Sequence, residues 1–328
     1  MRFGTFIPQG WRFDLVGIDP TEHWAVMNGL AQRADAGAWE SLWVYDHFHT
    51  TPVPSDEATH EAWTLMAAFA ASTSRIRLGQ MCTCMGYRNP AYLAKVAATV
   101  DHVSGGRAEM GIGAGWYEHE WEAYGYGFPR IPERLRMLRE GVDIMQQAWT
   151  TGRATLDGEF FQVDGAIVQP LPQQDGGIPM WIAGGGEKVT LKIAATYASY
   201  TNFTGSLEEI DHKSDVLRAH CDAIGRDFAT ITRSSNFNTI VGATEAEAHE
   251  RLAAVKARLL PHLGQERADQ AERDYLASPA FGSTEQVAER LAERERHGFG
   301  YAIHYFPEAA YDLSGIELFE REVIGALA

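Results

Sequence analysis

Short apolar segments with the composition of buried β-strands alternate with amphipathic helical segments along most of this chain. A strand, a helix and a second strand form a parallel pair, because the helix carries the chain back across one face of the sheet. Eight strand candidates in this order favour a closed (β/α)8 barrel, the TIM barrel of the α/β class, over an open sheet. The predicted strands are Arg2–Ile7, Ser41–Tyr45, Ile76–Thr83, Arg107–Ile112, Pro179–Ala183, Ser199–Asn202, Thr230–Val241 and Tyr301–Tyr305.

The chain has 328 residues, which one such barrel can contain, so we expect a single domain over residues 1–328. Three segments break the alternation, at about 116–130, 151–178 and 259–280, and we interpret them as insertions. The second alternates apolar and polar residues and turns at Asp157-Gly158, which is typical of a β-hairpin. The third is charged and has little periodicity.

Capping residues indicate where several helices begin. Asp19-Pro20 predicts the start of the first helix, since aspartate accepts from free amides and proline suits the first helical turn. Asn89-Pro90 carries the same signal after the third strand. The pairs Thr244/Glu247 and Ser283/Gln286 have the spacing of capping boxes.

The net charge of the chain limits the kinds of molecule that it can bind. The chain contains 28 lysines and arginines against 44 aspartates and glutamates, a formal net charge of −16. This field repels polyanions, so we expect no binding to nucleic acid or to an anionic membrane, and a phosphorylated ligand needs a local binding device. The first residues lack the pattern of a secretion signal, and no apolar stretch approaches the ~18 residues of a membrane span, so we expect a cytoplasmic protein.

Cysteine usage agrees with a reducing compartment. The chain has three cysteines, of which Cys82 and Cys84 are two residues apart in a predicted strand and point to one face. We therefore expect neither a disulfide framework nor a metal site at this pair.

The active site of a barrel is formed by the segments that follow its strands. Asp46-His47-Phe48-His49 follows the second strand. His47 could exchange a proton with a ligand at the barrel mouth, and the carboxylate of Asp46 could orient the ligand or tune the imidazole. The alternative is a structural histidine that caps the end of the strand.

His47 and His49 also suggest a metal-dependent hydrolase, because two imidazoles two residues apart on a strand can share a zinc ion. Such a site needs further ligands from later strands. The chain has no histidine between His119 and His212, an interval that contains the predicted fifth strand. Metal binding is therefore the less favoured interpretation.

The fourth strand runs into Gly111-Ile112-Gly113-Ala114-Gly115-Trp116. This is not the dinucleotide fingerprint, since Trp116 stands where its third glycine belongs. Glycines allow the backbone to approach a flat ligand closely. The alternative is a tight turn without a ligand.

The fifth strand runs into Ala183-Gly184-Gly185-Gly186-Glu187-Lys188 and then into a helix. Free amides, the helix dipole and Lys188 together favour an anion, so we predict a phosphate site here.

The end of the third strand, Met81–Pro90, contains polarisable cysteine and methionine side chains. These could pack beside an aromatic ring system, with Thr83 as a hydrogen-bonding group. The alternative is that they belong to the core.

These residues resemble the bacterial-luciferase-like flavin and deazaflavin oxidoreductases, and within them the branch that uses coenzyme F420, a deazaflavin. The matching segments are Arg2-Phe3-Gly4, Val44-Tyr45-Asp46-His47-Phe48, Tyr87-Arg88-Asn89-Pro90, Ser104 through Trp116, and Trp181 through Lys188. The resemblance implies a barrel with insertions, a cofactor ring over its mouth and, often, a homodimer. FMN is the alternative cofactor.

The resemblance also implies roles for individual residues. His47 is implied as the proton donor or acceptor beside the ring, and a non-proline cis peptide is expected near Gln80–Thr83. No metal ligand is implied. The implied cofactor-binding residues are Asp46, Gln80, Met81, Thr83, Gly113, Ala114, Gly115, Trp116, Ala183, Gly184, Gly185, Gly186, Glu187 and Lys188.

Two positions depart from the F420-dependent sugar-phosphate dehydrogenases of this family. Those enzymes carry a glutamate directly after the glycines of the fourth strand and a tryptophan five residues beyond the aspartate of the second. Here these positions hold Trp116 and Thr51. A more apolar substrate is therefore expected beside Trp116 and Tyr117.

We hypothesise an F420-dependent oxidoreductase that moves a hydride between the deazaflavin and a small organic substrate, with His47 handling the accompanying proton. An FMN-dependent monooxygenase with a partner reductase is the alternative within this class. A metal-dependent hydrolase using His47 and His49, and a cofactor-carrying protein without turnover, are the alternatives from other classes.

Overall fold

The computed structural model describes residues 1–327. Its strands are β1 (Arg2–Phe6), β2 (Ser41–Val44), β3 (Arg77–Gln80), β4 (Thr83–Cys84), β5 (Ala108–Gly113), β6 (Arg153–Asp157), β7 (Gln162–Ile167), β8 (Met180–Ala183), β9 (Tyr200–Asn202), β10 (Thr232–Asn238), β11 (Ile240–Gly242), β12 (Phe281–Ser283) and β13 (Phe299–Tyr305). Its α-helices are α1 (His23–Ala36), α2 (Ala62–Ser72), α3 (Pro90–Ser104), α4 (Glu118–Ala123), α5 (Ile131–Thr151), α6 (Thr190–Tyr197), α7 (Leu207–Ala223), α8 (Glu245–Leu276), α9 (Thr284–Arg296), α10 (Ser314–Leu318) and α11 (Gly325–Leu327).

The main sheet closes into a (β/α)8 barrel, which confirms the predicted fold class. Its strand order is β3-β2-β1-β13-β10-β9-β8-β5-β4, with a further pairing of β3 with β5. β3 and β4 are two parts of the third predicted strand. The seventh predicted strand was too long, because the chain leaves the sheet after Asn238 and β11 pairs with β12 instead.

The described chain divides into two compact units, Met1–His60 with the segment from Ser234 onward, and Glu61–Arg233. In the first unit, β1 is flanked by β2 and β13, both parallel to it, so that Gly4 pairs with Ser41 and with Ile303. In the second unit, β5 is parallel to β3, β4 and β8, and β8 is parallel to β9. A single domain over the whole length stays a prediction.

The aromatic core of the first unit encloses a histidine. His304 on β13 is fully buried, and its ring lies 4.3 Å from that of Phe319 and 5.4 Å from that of Phe237. Burial lowers the pKa of His304 to about 3, so the imidazole is neutral at ordinary pH. Its Nδ1 is 2.8 Å from the Thr239 hydroxyl. His304 is a core residue.

The first helix begins later than its capping signal predicted. The Asp19 carboxylate accepts from the Thr21 backbone amide at 2.9 Å and from the Thr21 hydroxyl at 2.7 Å, so it forms a local turn instead of a cap. Consequently α1 begins at His23. Asn89 does cap α3, as predicted, by accepting from the amides of Ala91 and Tyr92.

The three segments that break the alternation have different structures. Residues 116–130 contain α4 and loops, and 151–178 contain the predicted hairpin of β6 and β7. The Glu140 carboxylate on α5 secures the turn of this hairpin by accepting from three successive backbone amides, those of residues 159–161. Residues 259–276 are helical, as the second half of α8, which is broken at Gly264. Within residues 1–327, no helix has the length and apolarity needed to cross a membrane.

Candidate active site

The third barrel strand is interrupted at the site predicted for the cofactor ring. The Met81–Cys82 peptide bond, between β3 and β4, is cis, where the resemblance indicated one. Gln80 and Thr83 flank it and are buried. The Thr83 hydroxyl donates to Gln80 Oε1 at 2.7 Å, which fixes the orientation of the Gln80 amide.

The nitrogen of the Gln80 side-chain amide has no acceptor among the described residues. In the part of the chain that the structure describes, Gln80 Nε2 is buried without a hydrogen-bond partner. An unsatisfied buried donor costs roughly 1–3 kcal/mol, and a ligand that presents an acceptor removes this cost. The amide of Gln80 is therefore suited to a polar ring atom of a bound molecule.

The glycines of β5 pack against the interrupted strand. A methyl group on Gly113 would lie 2.7 Å from Cys82 Sγ, and one on Gly111 would overlap the Gln80 carbonyl oxygen. Both glycines are therefore required by the packing of β5, whatever they do for a ligand. Gly115 has a φ of 77°, which favours glycine on backbone grounds.

The end of β5 carries two stacked aromatic residues. Trp116 is 59% exposed, and its ring lies 5.2 Å from that of Tyr117 at an interplanar angle of 22°. The half-buried Ala114 precedes them. The indole of Trp116 therefore presents a large apolar face at the end of a barrel strand, where ligands bind in this fold.

The predicted phosphate turn follows β8. Gly184 has a φ of 115°, and the turn that it opens is mostly exposed. No side chain caps the amino terminus of α6, which begins at Thr190. Uncapped helical amides and the helix dipole favour an anion at this point. The strand register places Ala183 close to Gly113, so the turn adjoins the end of β5.

A lysine that the sequence analysis missed lies over this turn. A methyl group on Gly185 would be 2.9 Å from Lys213 Cε and 3.2 Å from its Nζ. Lys213 is on α7, so it adds a cation to the one that Lys188 contributes. Glu187, in contrast, has its carboxylate 3.1 Å from His212 Nε2, so its charge is engaged with α7.

The histidine predicted for proton transfer lies in the first unit. Asp46 is buried and His47 is half-buried, both just after β2. The His47 imidazole is stacked on the Trp11 indole with centroids 4.2 Å apart and an interplanar angle of 1°. Trp11 also contacts the Tyr45 ring at 4.1 Å. Trp11 thus fixes the plane of the His47 ring.

Gln9 connects the two loops that carry this stack. Its Nε2 donates to the carbonyl oxygens of Tyr45 at 2.8 Å and of His60 at 3.0 Å. Thr51 adds a backbone hydrogen bond to the Trp11 carbonyl at 2.9 Å. The loop after β1 is therefore part of the site, although the sequence analysis assigned no role to Trp11.

The metal alternative involves His47 and His49. His49 follows His47 in the loop, half-buried like it. Among residues 1–327, however, no three or more histidine, cysteine, aspartate or glutamate side chains form a group that could hold a metal ion. A shared zinc would need further ligands beside these imidazoles.

Comparison with known proteins identifies the family to which the chain belongs. A family model described as luciferase-like monooxygenase matches residues 1–300. An F420-dependent glucose-6-phosphate dehydrogenase of Kineococcus radiotolerans is 32% identical over 208 residues, which are 62% of this chain and 60% of that protein. A pyrimidine monooxygenase RutA of a Bradyrhizobium species is 37% identical over 207 residues, 61% of this chain and 56% of that protein. The chain thus aligns with less than two thirds of the length of these relatives.

A solved structure shares the fold over the full length. The coenzyme F420-dependent tetrahydromethanopterin reductase of Methanopyrus kandleri has a TM-score of 0.78 at 20% sequence identity, and the superposition covers 100% of this chain and 99% of that one. This likeness shows a shared barrel architecture. Because the family model covers nearly all of the sequence, this protein belongs to the luciferase-like monooxygenase family.

Proposed function

We propose that this protein is an oxidoreductase that uses coenzyme F420 to move a hydride to or from a small organic substrate. The observation that carries the proposal is the donor set of the second unit. The unpartnered amide of Gln80 is at the end of β3, the lysine-flanked turn Gly184–Lys188 follows β8, and both strands pair with β5. This set fits a ligand with a polar ring and a phosphate tail. The similarity to an F420-dependent glucose-6-phosphate dehydrogenase supports F420 as that ligand.

The residues of the second unit would hold the cofactor. The amides of Gly184, Gly185 and Gly186, together with Lys188 and Lys213, are suited to the phosphate. Those that would line the ring and its linker are Gln80, Met81, Thr83, Gly113, Ala114, Gly115, Trp116 and Ala183. When bound, the deazaflavin supplies the hydride chemistry, while the protein supplies position and electrostatics.

His47 would handle the proton that accompanies hydride transfer, with Asp46 beside it. Stacking on Trp11 fixes the plane of the imidazole before substrate arrives, which is what proton transfer at a defined atom requires. In His47→Ala we expect turnover of F420 with substrate to fall by ~10²–10⁴, with F420 affinity retained. His49→Ala is the matched control. Unchanged turnover in His47→Ala would favour another proton donor, whereas cofactor binding without turnover in the unaltered protein would favour a cofactor carrier.

The alternative within the family is an FMN-dependent monooxygenase, which the similarity to pyrimidine monooxygenase RutA favours. Titration of the purified protein with F420 and with FMN, each oxidised and reduced, separates the two. We expect tight binding of F420 and weak binding of FMN. Tight FMN binding without F420 binding contradicts the proposal.

We also propose that the protein is a single-domain cytoplasmic homodimer that acts on a small molecule and binds neither nucleic acid nor membranes. The net charge of −16 supports the last point. Light scattering on the purified protein measures the mass in solution, for which we expect twice that of one chain.

A further inference from the structure

A cavity of about 250 Å³ lies within the first unit. Its walls come from the loop after β1, the Thr51-Pro52 segment and the second half of α8. Much of the lining is apolar, from Phe13, Leu259 and Leu263. Pockets of this kind bind small molecules through apolar contact, with a few polar groups that fix orientation.

One of those polar groups is the guanidinium of Arg12. It donates to Asn238 Oδ1 at 2.7 Å and lies 4.5 Å from the centre of the Tyr305 ring. Burial alone would lower its pKa, but the charge interactions with Tyr275 and other neighbours raise the pKa above the usual value. Arg12 is therefore a cation at the cavity, whose other polar lining residues are Thr51, Asn238, Arg267, Gln270, Asp274 and Tyr275. A guanidinium has five donors, more than these contacts use.

The carboxylate of Asp14, two residues further along the chain, accepts no hydrogen bond from Arg12. Asp14 accepts from the Gly10 backbone amide at 2.7 Å and from the Tyr305 hydroxyl at 2.9 Å. In residues 1–327, no hydrogen bond joins Asp14 to Arg12. Burial raises the pKa of Asp14, against the hydrogen bonds from Gly10 and Tyr305 and the charge of Arg12, which lower it. Among residues 1–327, no carboxylate therefore forms a pair of parallel hydrogen bonds with the guanidinium of Arg12.

A second arginine lines the cavity from α8. Arg267 is exposed, and the structure of residues 1–327 gives it no ion pair or hydrogen bond. Its neighbours on the helix are engaged, since Lys256 pairs with Asp269 and Gln270 donates to Asp274. In a chain of net charge −16, an arginine without an acidic partner at a cavity is available for an anion.

The backbone connects the lining of the cavity to the group proposed for proton transfer. Arg12 follows Trp11, on which the His47 imidazole is stacked. Thr51, part of the lining, donates to the Trp11 carbonyl. Trp11 and His47 do not line the cavity themselves, but the backbone connects Trp11 to two residues that do, Arg12 and Thr51.

We infer that this cavity binds the substrate, and that the substrate is an organic acid whose carboxylate meets Arg12 and Arg267 while its apolar body fills the space between Phe13 and α8. The inference deepens the proposed function and rests on it. Bidentate pairing with a guanidinium is the geometry that a carboxylate satisfies best.

Calorimetric titration with two probes of equal shape tests the charge requirement. Cyclohexanecarboxylate and cyclohexanecarboxamide are titrated into the full chain, with and without F420. We expect the carboxylate to bind at least tenfold more tightly than the amide. Equal affinities, or binding of neither probe, would overturn the inference. Glucose 6-phosphate serves as a polar anion, and tighter binding of it than of the carboxylate would overturn the requirement for an apolar body.

Three variants test the residues. In Arg12→Gln, carboxylate affinity should fall at least tenfold with little change for the amide. In Arg267→Gln, which alters an exposed side chain and preserves the fold, the fall should be about twofold to fivefold. Arg296→Gln, on the exposed end of α9, is the matched control and should change nothing. An unchanged carboxylate preference in both Arg12→Gln and Arg267→Gln contradicts the inference. If Arg12→Gln fails to fold, an unchanged carboxylate affinity in Arg267→Gln contradicts it alone.

Failure of this inference and failure of the proposed function give different results. F420 affinity is measured in the same samples. A protein that binds F420 but not the carboxylate retains the proposed function and loses this substrate class. A protein that binds the carboxylate with the expected arginine dependence but not F420 retains the anion site and loses the proposed cofactor.

Discussion

A single buried amide, that of Gln80, links stability to ligand binding. Because its Nε2 lacks an acceptor among the described residues, it weakens the free protein and strengthens a complex that supplies one. In Gln80→Leu we expect F420 affinity to fall by about fivefold to tenfold. The melting temperature of the free protein should change little, because loss of the acceptor of the Thr83 hydroxyl offsets removal of the unpartnered amide. Fluorescence titration and thermal unfolding measure the two quantities. A loss of stability with unchanged F420 affinity would make Gln80 a structural residue only.

Glu308 predicts a pH dependence of stability. It is buried, and burial raises its pKa to about 7 from a usual value of 4.5, against the opposing charges of Arg251 and Arg258. The folded state then holds this proton more tightly than the unfolded state, so stability falls as pH rises from about 4.5 to about 7. In Glu308→Gln we expect the free energy of unfolding to rise by about 1–3 kcal/mol at pH 8 and to change little at pH 4.5.

Urea denaturation at the two pH values measures this difference. Glu266→Gln, which alters an exposed carboxylate on α8, is the matched control and should change stability little at either pH. An equal gain in both variants at pH 8 would reflect the reduced net charge of the protein and would contradict the assignment to Glu308.

The residues that sequence reasoning missed are those whose roles come from distant partners. Gly184–Lys188 could be predicted as an anion site because glycines, a lysine and a helix start are contiguous. Lys213 could not, since it reaches the turn from a different helix. The place of Trp11 after the first barrel strand could have marked it as a possible site residue, but only the structure shows its stack on His47. The roles of the predicted cofactor residues themselves stay predictions.

The position of Lys213 on α7, beside Gly185, predicts that this helix contributes to binding at the phosphate turn. In Lys213→Gln we expect F420 affinity to fall by about threefold to tenfold, because one cation beside the phosphate is lost. The same variant should bind the deazaflavin chromophore without its phosphate-bearing tail as well as the unchanged protein does. Lys192→Gln, an exposed lysine of α6, is the control. Equal losses for both ligands would contradict a phosphate contact.

The break in α8 depends on one glycine. Gly264 has φ 73° and ψ 168°, a conformation open almost only to glycine, and nothing lies within 4 Å of a methyl group placed there. We expect Gly264→Ala to lower the free energy of unfolding by about 1–3 kcal/mol through the backbone alone. Gly29→Ala, inside α1 and equally open, should raise it by about 0.5–1 kcal/mol. Urea denaturation of both variants measures the contrast.

The alternation of strands and helices predicted the barrel because parallel strands are buried on both faces and so appear as short apolar runs. Two departures have local causes. The Asp19 carboxylate bonds to Thr21 and cannot start α1. Residues 259–276 lack a clear helical period because Pro261 and Gly264 divide α8, so the two halves do not share one apolar face. The pattern of apolar and polar residues along the chain does not show such local hydrogen bonds or helix breaks.

The whole chain carries a net charge of −16, yet its proposed cofactor is an anion. Long-range repulsion slows the approach of such a ligand, whereas Lys188 and Lys213 act at short range after it arrives. Salt screens the long-range field first, because the Debye length falls to about 10 Å at 0.1 M. The association rate of F420 should therefore rise with added salt, by about twofold to threefold between 0.01 and 0.15 M.

Stopped-flow fluorescence measures this rate, and the uncharged chromophore without its tail is the control, since its association should not depend on salt. Its dissociation should likewise be insensitive to salt, whereas F420 should dissociate faster because the contacts with the two lysines weaken. An association rate for F420 that falls with salt would mean that the local cations, and not the net charge, govern the approach. The phosphate turn would then attract the ligand before contact as well as hold it afterwards.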